Sequence, residues 1–178
     1  MSKKMRFGAL VPALLLLVAA CGDDDGADVV GGPGETVTVS AIDFAYVDLP
    51  DTVKAGTAFV LDNESDVELH EFVAIRLPDD ETRSVQELMS LPMEELAALF
   101  PHVVTVVIAP PGETGFPVEG TGVLEEPGRY AIICAIPTGA DPAEYMAAAA
   151  AAEGGPPEVD GGPPHFVQGM FAEVTVVE

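Results

Sequence analysis

The sequence predicts an all-β chain: a two-sheet sandwich carrying two short helical insertions. Three observations lead there. Short segments alternate apolar and polar residues with the period of a half-buried strand. Gly, Pro, Asn and Asp punctuate these segments as turns, and helix-start signatures stand at Ser84 and Asp141. One domain of 178 residues is long enough to bury an adequate core.

The chain opens with Lys3, Lys4 and Arg6, followed by an apolar run from Phe7 to Ala20. That run is too short to span a bilayer comfortably and has the layout of a secretory leader. Val18-Ala19-Ala20-Cys21 resembles a bacterial lipobox, so residues 1–20 read as a lipoprotein signal peptide and Cys21 as the acceptor of a diacylglycerol. The alternative is an ordinary leader cut near Ala20, which leaves an exported thiol unexplained. Residues 21–35 are Asp- and Gly-rich and read as a flexible acidic tether. The expected location is outside the cytoplasm, lipid-anchored to the outer face of the cell membrane or in the periplasm.

Residues 36–178 form the expected folded domain. Thr36 to Ile42 alternates in the period-two manner, and Thr57–Leu61, Glu71–Arg76, Val103–Ala109, Arg129–Ile136 and Met170–Val177 are further strand candidates. Pro50-Asp51, Lys54-Ala55-Gly56, Asp62-Asn63, Pro110-Pro111-Gly112 and Glu126-Pro127-Gly128 are the turns between them. Ser84-Val85-Gln86-Glu87 fits a capping box, and Glu94 to Phe100 continues as a short amphipathic helix that ends before Pro101. Asp141-Pro142-Ala143-Glu144 is a second capping box with Pro at the first helical position. An alanine run follows to Ala152, and Gly154-Gly155 stops it.

Charge narrows the partners. The chain carries a net charge of −23, and loss of Lys3, Lys4 and Arg6 makes it three units more negative, leaving Lys54, Arg76, Arg83 and Arg129 as the basic residues. Such a chain repels phosphate backbones, which argues against nucleic acid as a partner, and it would steer in a cationic protein. The same charge also serves plain solubility, and composition does not separate the two readings.

The chemistry is concentrated late in the chain. Gly128-Arg129-Tyr130-Ala131-Ile132-Ile133-Cys134 is answered by His165-Phe166-Val167-Gln168-Gly169-Met170, and His70 stands upstream after Asn63. One thiolate, two imidazoles and a distant thioether form the set that selects copper in electron-transfer sites. With Cys21 acylated, Cys134 has no disulfide partner and is free to bind metal; its alternative is a buried core thiol beside Ile132, Ile133 and Ile136. His102 matches no part of this pattern and reads as structural or exposed, Met146 as helix packing, and Tyr130 as core.

These motifs resemble those of the cupredoxins, the small blue (type 1) copper proteins such as plastocyanin. In that family a Gly-x-Tyr-x-x-x-Cys strand leads into a loop carrying His-x-x-x-x-Met. The resemblance covers about residues 36–178 and implies a cupredoxin-like Greek-key β-sandwich. It further implies a mononuclear copper site with His70, Cys134 and His165 as in-plane ligands and Met170 as the axial one. The implied role is one-electron transfer to and from a redox partner protein with a basic docking surface. Coupled copper centres need additional His ligands, and three histidines do not furnish them, so the chain is not expected to be an enzyme. A copper carrier or storage protein and a metal-free binding module on the same sandwich are the alternatives.

Two departures from the family pattern stand out. Thirty residues, 135–164, separate Cys134 from His165 where the family places a few. Loop closure tolerates this, since a tenfold longer loop costs on the order of 2 kcal/mol. The segment reads either as a low-complexity surface expansion or as a cap over the metal end. Glu71 and Ala135 stand where plastocyanin-like members use small polar residues to bond the ligands, so tuning of the metal is expected to differ.

Overall fold

The computed structural model describes residues 29–152 and 156–178. The leader, Cys21 and the Gly154-Gly155 helix stop lie outside the described residues. The strands are β1 (Thr36–Ile42), β2 (Ala45–Val47), β3 (Thr52–Lys54), β4 (Thr57–Asn63), β5 (His70–Arg76), β6 (Val103–Ala109), β7 (Phe116–Glu119), β8 (Val123–Leu124), β9 (Gly128–Ile133) and β10 (Phe171–Val177). They form two sheets, ordered β2-β1-β4-β8 and β3-β10-β9-β5-β6-β7. The all-β sandwich expected from the sequence is therefore the observed fold. Among the described residues, no helix is long and apolar enough to cross a membrane.

Alternation explains which face each strand buries. In β4, Thr57, Phe59, Leu61 and Asn63 point inward while the residues between them are partly exposed. β5 lacks alternation, and its first six residues are all buried, because both of its faces are covered. Phe72 and Ala74 join the core between the sheets. Val73 and Ile75 join a second cluster beneath the first insertion. That insertion holds α1 (Val85–Leu88), α2 (Met93–Leu96) and a 3₁₀ stretch (Ala97–His102). Val85 and Leu88 are buried, and each contributes roughly 2 kcal/mol to docking of the insertion. The Ser84 capping box forms in full, the Ser84 hydroxyl accepting from the Glu87 amide while the Glu87 carboxylate accepts from the Ser84 amide.

The second insertion carries α3 (Pro142–Ala151). Here the box is half made: the Asp141 carboxylate accepts from the Glu144 amide at 2.9 Å. A further 3₁₀ turn, His165–Gln168, lies outside both insertions and ends at Gly169, whose φ of 110° few other residues adopt. The short strands β2, β3, β7 and β8 escaped the sequence reading because two to four residues are too few to show a period. β7 is an exposed edge strand, a sheet environment that tolerates Pro117. Pairing begins ahead of Thr36: Val30 bridges to Val53 of β3, beside the Val177 end of β10.

Candidate metal centre

Three elements converge at one end of the sandwich. His70 opens β5, Cys134 follows the last residue of β9, and His165 opens the 3₁₀ turn before β10. One atom of each, an imidazole nitrogen of His70, the thiol sulfur of Cys134 and an imidazole nitrogen of His165, lies within 4.8 Å of the others. The Cys134 sulfur is 3.3 Å from Nδ1 of His165, and the two imidazole rings stand 5.0 Å apart. All three side chains are fully buried. Met170, also fully buried, is tied to the same group by backbone: its carbonyl accepts from the Cys134 amide and its amide donates to the His165 carbonyl, both at 3.1 Å.

The thirty-residue separation of Cys134 and His165 is closed by a hydrogen-bonded neck. The His165 amide donates to the Ile136 carbonyl at 2.9 Å and the Phe166 amide to the Cys134 carbonyl at 2.8 Å. Farther out, Thr138 donates to Pro163 and Gly162 donates to Thr138, with Pro137 and Pro164 bridged between them. The insertion is thus pinched off outside the site, and packing replaces a short loop in fixing the two vectors. Nor is the insertion mere surface expansion, since Ala140 and Tyr145 are buried in the main core.

The surrounding polar groups are satisfied in a specific way. The Asn63 side chain donates to the carbonyls of Glu68 and Ala109 and accepts from the Ser65 amide, which fixes the loop that delivers His70. The Glu71 amide donates to the Cys134 sulfur at 3.4 Å. The Glu71 carboxylate accepts from the Ala135 amide at 2.9 Å and from the Tyr145 hydroxyl at 3.2 Å. Tyr46 donates to the Glu71 carbonyl at 2.6 Å. Both ring nitrogens of His70 are buried without a hydrogen-bond partner. Leaving such groups unpaired costs about 1–3 kcal/mol each.

Burial dominates the electrostatics. It lowers the pKa of His70 to about 4, helped by the positive charge His165 would carry and opposed by Asp43. Burial likewise lowers His165, against the opposing pull of Glu68. The Cys134 thiol is pushed up, first by burial and then by the Glu71 charge. Glu71 is raised to about 7 by burial, in spite of the bonds from Ala135 and Tyr145. Without metal the cluster therefore holds neutral imidazoles and a protonated thiol. A neutral imidazole has a free lone pair, and metal binding would release the thiol proton.

Other residues the sequence reading passed over shape the site. Phe44 sits in the two-residue turn between β1 and β2 with φ of 61°, a conformation that costs a bulky residue on the order of 1 kcal/mol or more. Its ring meets the His165 ring edge-on with centroids 5.0 Å apart. The Glu68 carboxylate lies 3.3 Å from Nε2 of His165. Asp62-Asn63 was legible only as a turn, whereas Asn63 ends a strand and is buried. His102 is exposed, Met146 packs on the main core, and Tyr130 is buried in it.

No protein-family model matches the chain, and no curated protein matches it. Among solved structures it is similar to auracyanin B, with 21% identity over 86% of this chain and 96% of that one and a TM-score of 0.45. It is also similar to the dithionite-reduced auracyanin of the photosynthetic bacterium Roseiflexus castenholzii, at 17% identity, 83% and 100% coverage and a TM-score of 0.45. A third is auracyanin A, a "blue" copper protein of the green thermophilic photosynthetic bacterium Chloroflexus aurantiacus, at 17% identity, 82% and 100% coverage and a TM-score of 0.44. These likenesses concern the course of the chain, and the chemistry of the site rests on its own residues.

Proposed function

We propose that the chain is a membrane-anchored, extracytoplasmic copper-binding protein that carries single electrons through a mononuclear type 1 site. The observation that carries this reading is the convergence of the Cys134 thiol and the His70 and His165 imidazoles, with both His70 nitrogens buried and unpartnered. One sulfur and two imidazole nitrogens fit copper, and the metal would satisfy groups that otherwise cost stability. Cys134, His70, His165 and Met170 would hold the metal. Copper held there would supply one-electron chemistry between its cuprous and cupric states.

The protein's own contribution is rigidity and dryness. Backbone pairing fixes Cys134, His165 and Met170. The Glu71 amide bonds the sulfur, and burial of the ligands excludes water. A carrier that exchanges its metal needs an accessible site, which the burial of all three groups disfavours. The lipid on Cys21 and the basic surface on the redox partner belong to the same reading, supported by the lipobox-like leader and the acidic net charge. Adding Cu(II) to the purified protein should produce an intense visible band and a type 1 electron paramagnetic resonance spectrum. Cys134→Ser should abolish the band. Colourless protein with copper bound elsewhere would overturn the reading.

A further inference from the structure

We propose that Glu68 is a positioning residue, holding His165 in the tautomer and orientation that present Nδ1 to the metal. This rests on the copper reading above. Nδ1 is the nitrogen facing Cys134, at 3.3 Å; to bind a metal it needs its lone pair free and the ring hydrogen on Nε2, and the partner of that nitrogen decides the tautomer. The partner is the Glu68 carboxylate, 3.3 Å from Nε2. It stands off the N–H axis, so the contact is one of charge and Nε2 has no aligned hydrogen bond. Both groups are shielded, with His165 fully buried and the Glu68 side chain 14% exposed.

Glu68 is itself held from several sides. Its carboxylate accepts from the Gly139 amide at 3.0 Å, just beyond the insertion neck. Its carbonyl accepts from the Asn63 side chain at 2.8 Å, and its amide donates to the Ser65 hydroxyl at 3.0 Å. The carboxylate therefore joins three segments: the loop before His70, the start of the insertion, and His165. Where the Cys-to-His connection is thirty residues long, this contact does work that a short loop would do by covalent constraint. A carboxylate on the far nitrogen of a ligating imidazole also makes the ring a stronger donor, which favours the more highly charged metal state.

The test uses the full-length protein, metal-free and copper-loaded. In the metal-free form, long-range proton–nitrogen correlation spectra should show His165 with its hydrogen on Nε2. In Glu68→Ala the Nδ1–H share should rise about tenfold, as the Nε2 hydrogen loses the carboxylate that faces it. In copper-loaded Glu68→Gln the reduction potential should rise, with the visible band kept. Should Glu68→Ala fail to fold, Glu68→Gln decides on the same two readouts. Unchanged tautomer and unchanged potential in a folded variant would overturn the proposal, because a merely structural Glu68 would alter stability alone. Wild-type protein that takes up no copper would defeat the copper reading, while the tautomer measurement would still decide the role of Glu68.

Discussion

Glu71 follows His70 directly, and its three polar parts face four different partners. The amide reaches the Cys134 sulfur, the carbonyl receives the Tyr46 hydroxyl, and the carboxylate receives Ala135 and Tyr145. Tyr145→Phe removes one donor and leaves a buried carboxylate oxygen short of a partner. It should lower the stability of the metal-free protein by about 1–2 kcal/mol in urea unfolding. Arg129 is equally committed: its guanidinium grips the Glu173 carboxylate at 2.7 and 2.9 Å and donates to the carbonyls of Glu81 and Arg83. The Arg129 contact holds the Glu173 carboxyl below its usual pKa of 4.5. A carboxyl depressed in the folded state stabilises above its unfolded pKa, and that contribution is lost as pH falls through the folded value. Because the pair is about a third exposed, the effect should be about 1 kcal/mol. Glu173→Gln should lose that stability at neutral pH and show a flatter acid limb below about pH 4.5 in denaturation curves. The meeting of His70, Cys134 and His165 was legible only through the motifs that resemble those of the cupredoxins. Glu68 and Tyr145 were not, since nothing local in the chain shows that they lie against residues tens of positions away.

At the scale of elements, the neck of the second insertion joins the segments that carry Cys134 and His165. Its two arms pass so closely that a Cβ on Gly161 would stand 2.5 Å from Cβ of Pro137. Gly161→Ala should force the arms apart at about 2 kcal/mol. The melting temperature should drop by about 5 °C, and the copper spectrum should broaden as the Cys134 and His165 vectors lose definition. An unchanged melt and spectrum would show that the neck is slack. Elements with clear alternation, such as β1 and β4, were readable from sequence within a residue or two. β5 was readable as an element but not as one covered on both faces, because that depends on where α1 and α2 come to rest. The neck itself was illegible: Ala135 and Ile136 read as the end of a strand, while Pro137 and the Gly162-Pro163-Pro164 run read as loop, and nothing local shows that the two arms pair.

For the whole molecule, a net charge of −23 makes association with partners a matter of ionic strength. Electron exchange with a cationic redox protein should slow about tenfold between low salt and about 0.2 M, as the Debye length falls below about 10 Å. A salt-independent rate would mean that contact shape, rather than long-range field, guides the encounter. Composition argues against nucleic acid as a partner, but it does not show that the site lies at one end of the sandwich. That location bears on the reach of the protein. Val30 joins the sheet beside Val53, at the Val177 end of β10, while His165 and Met170 crowd the Phe171 end. A strand of this length spans about 20 Å. If the chain is held by lipid at Cys21, the eight peptide steps to Val29 can extend at most about 29 Å. The electron would then be taken up or given away as far as about 50 Å from the anchor, on the side turned from the bilayer. A partner lying flat in the membrane would be served only when the domain tips over, whereas one standing tall or diffusing freely would meet it head-on.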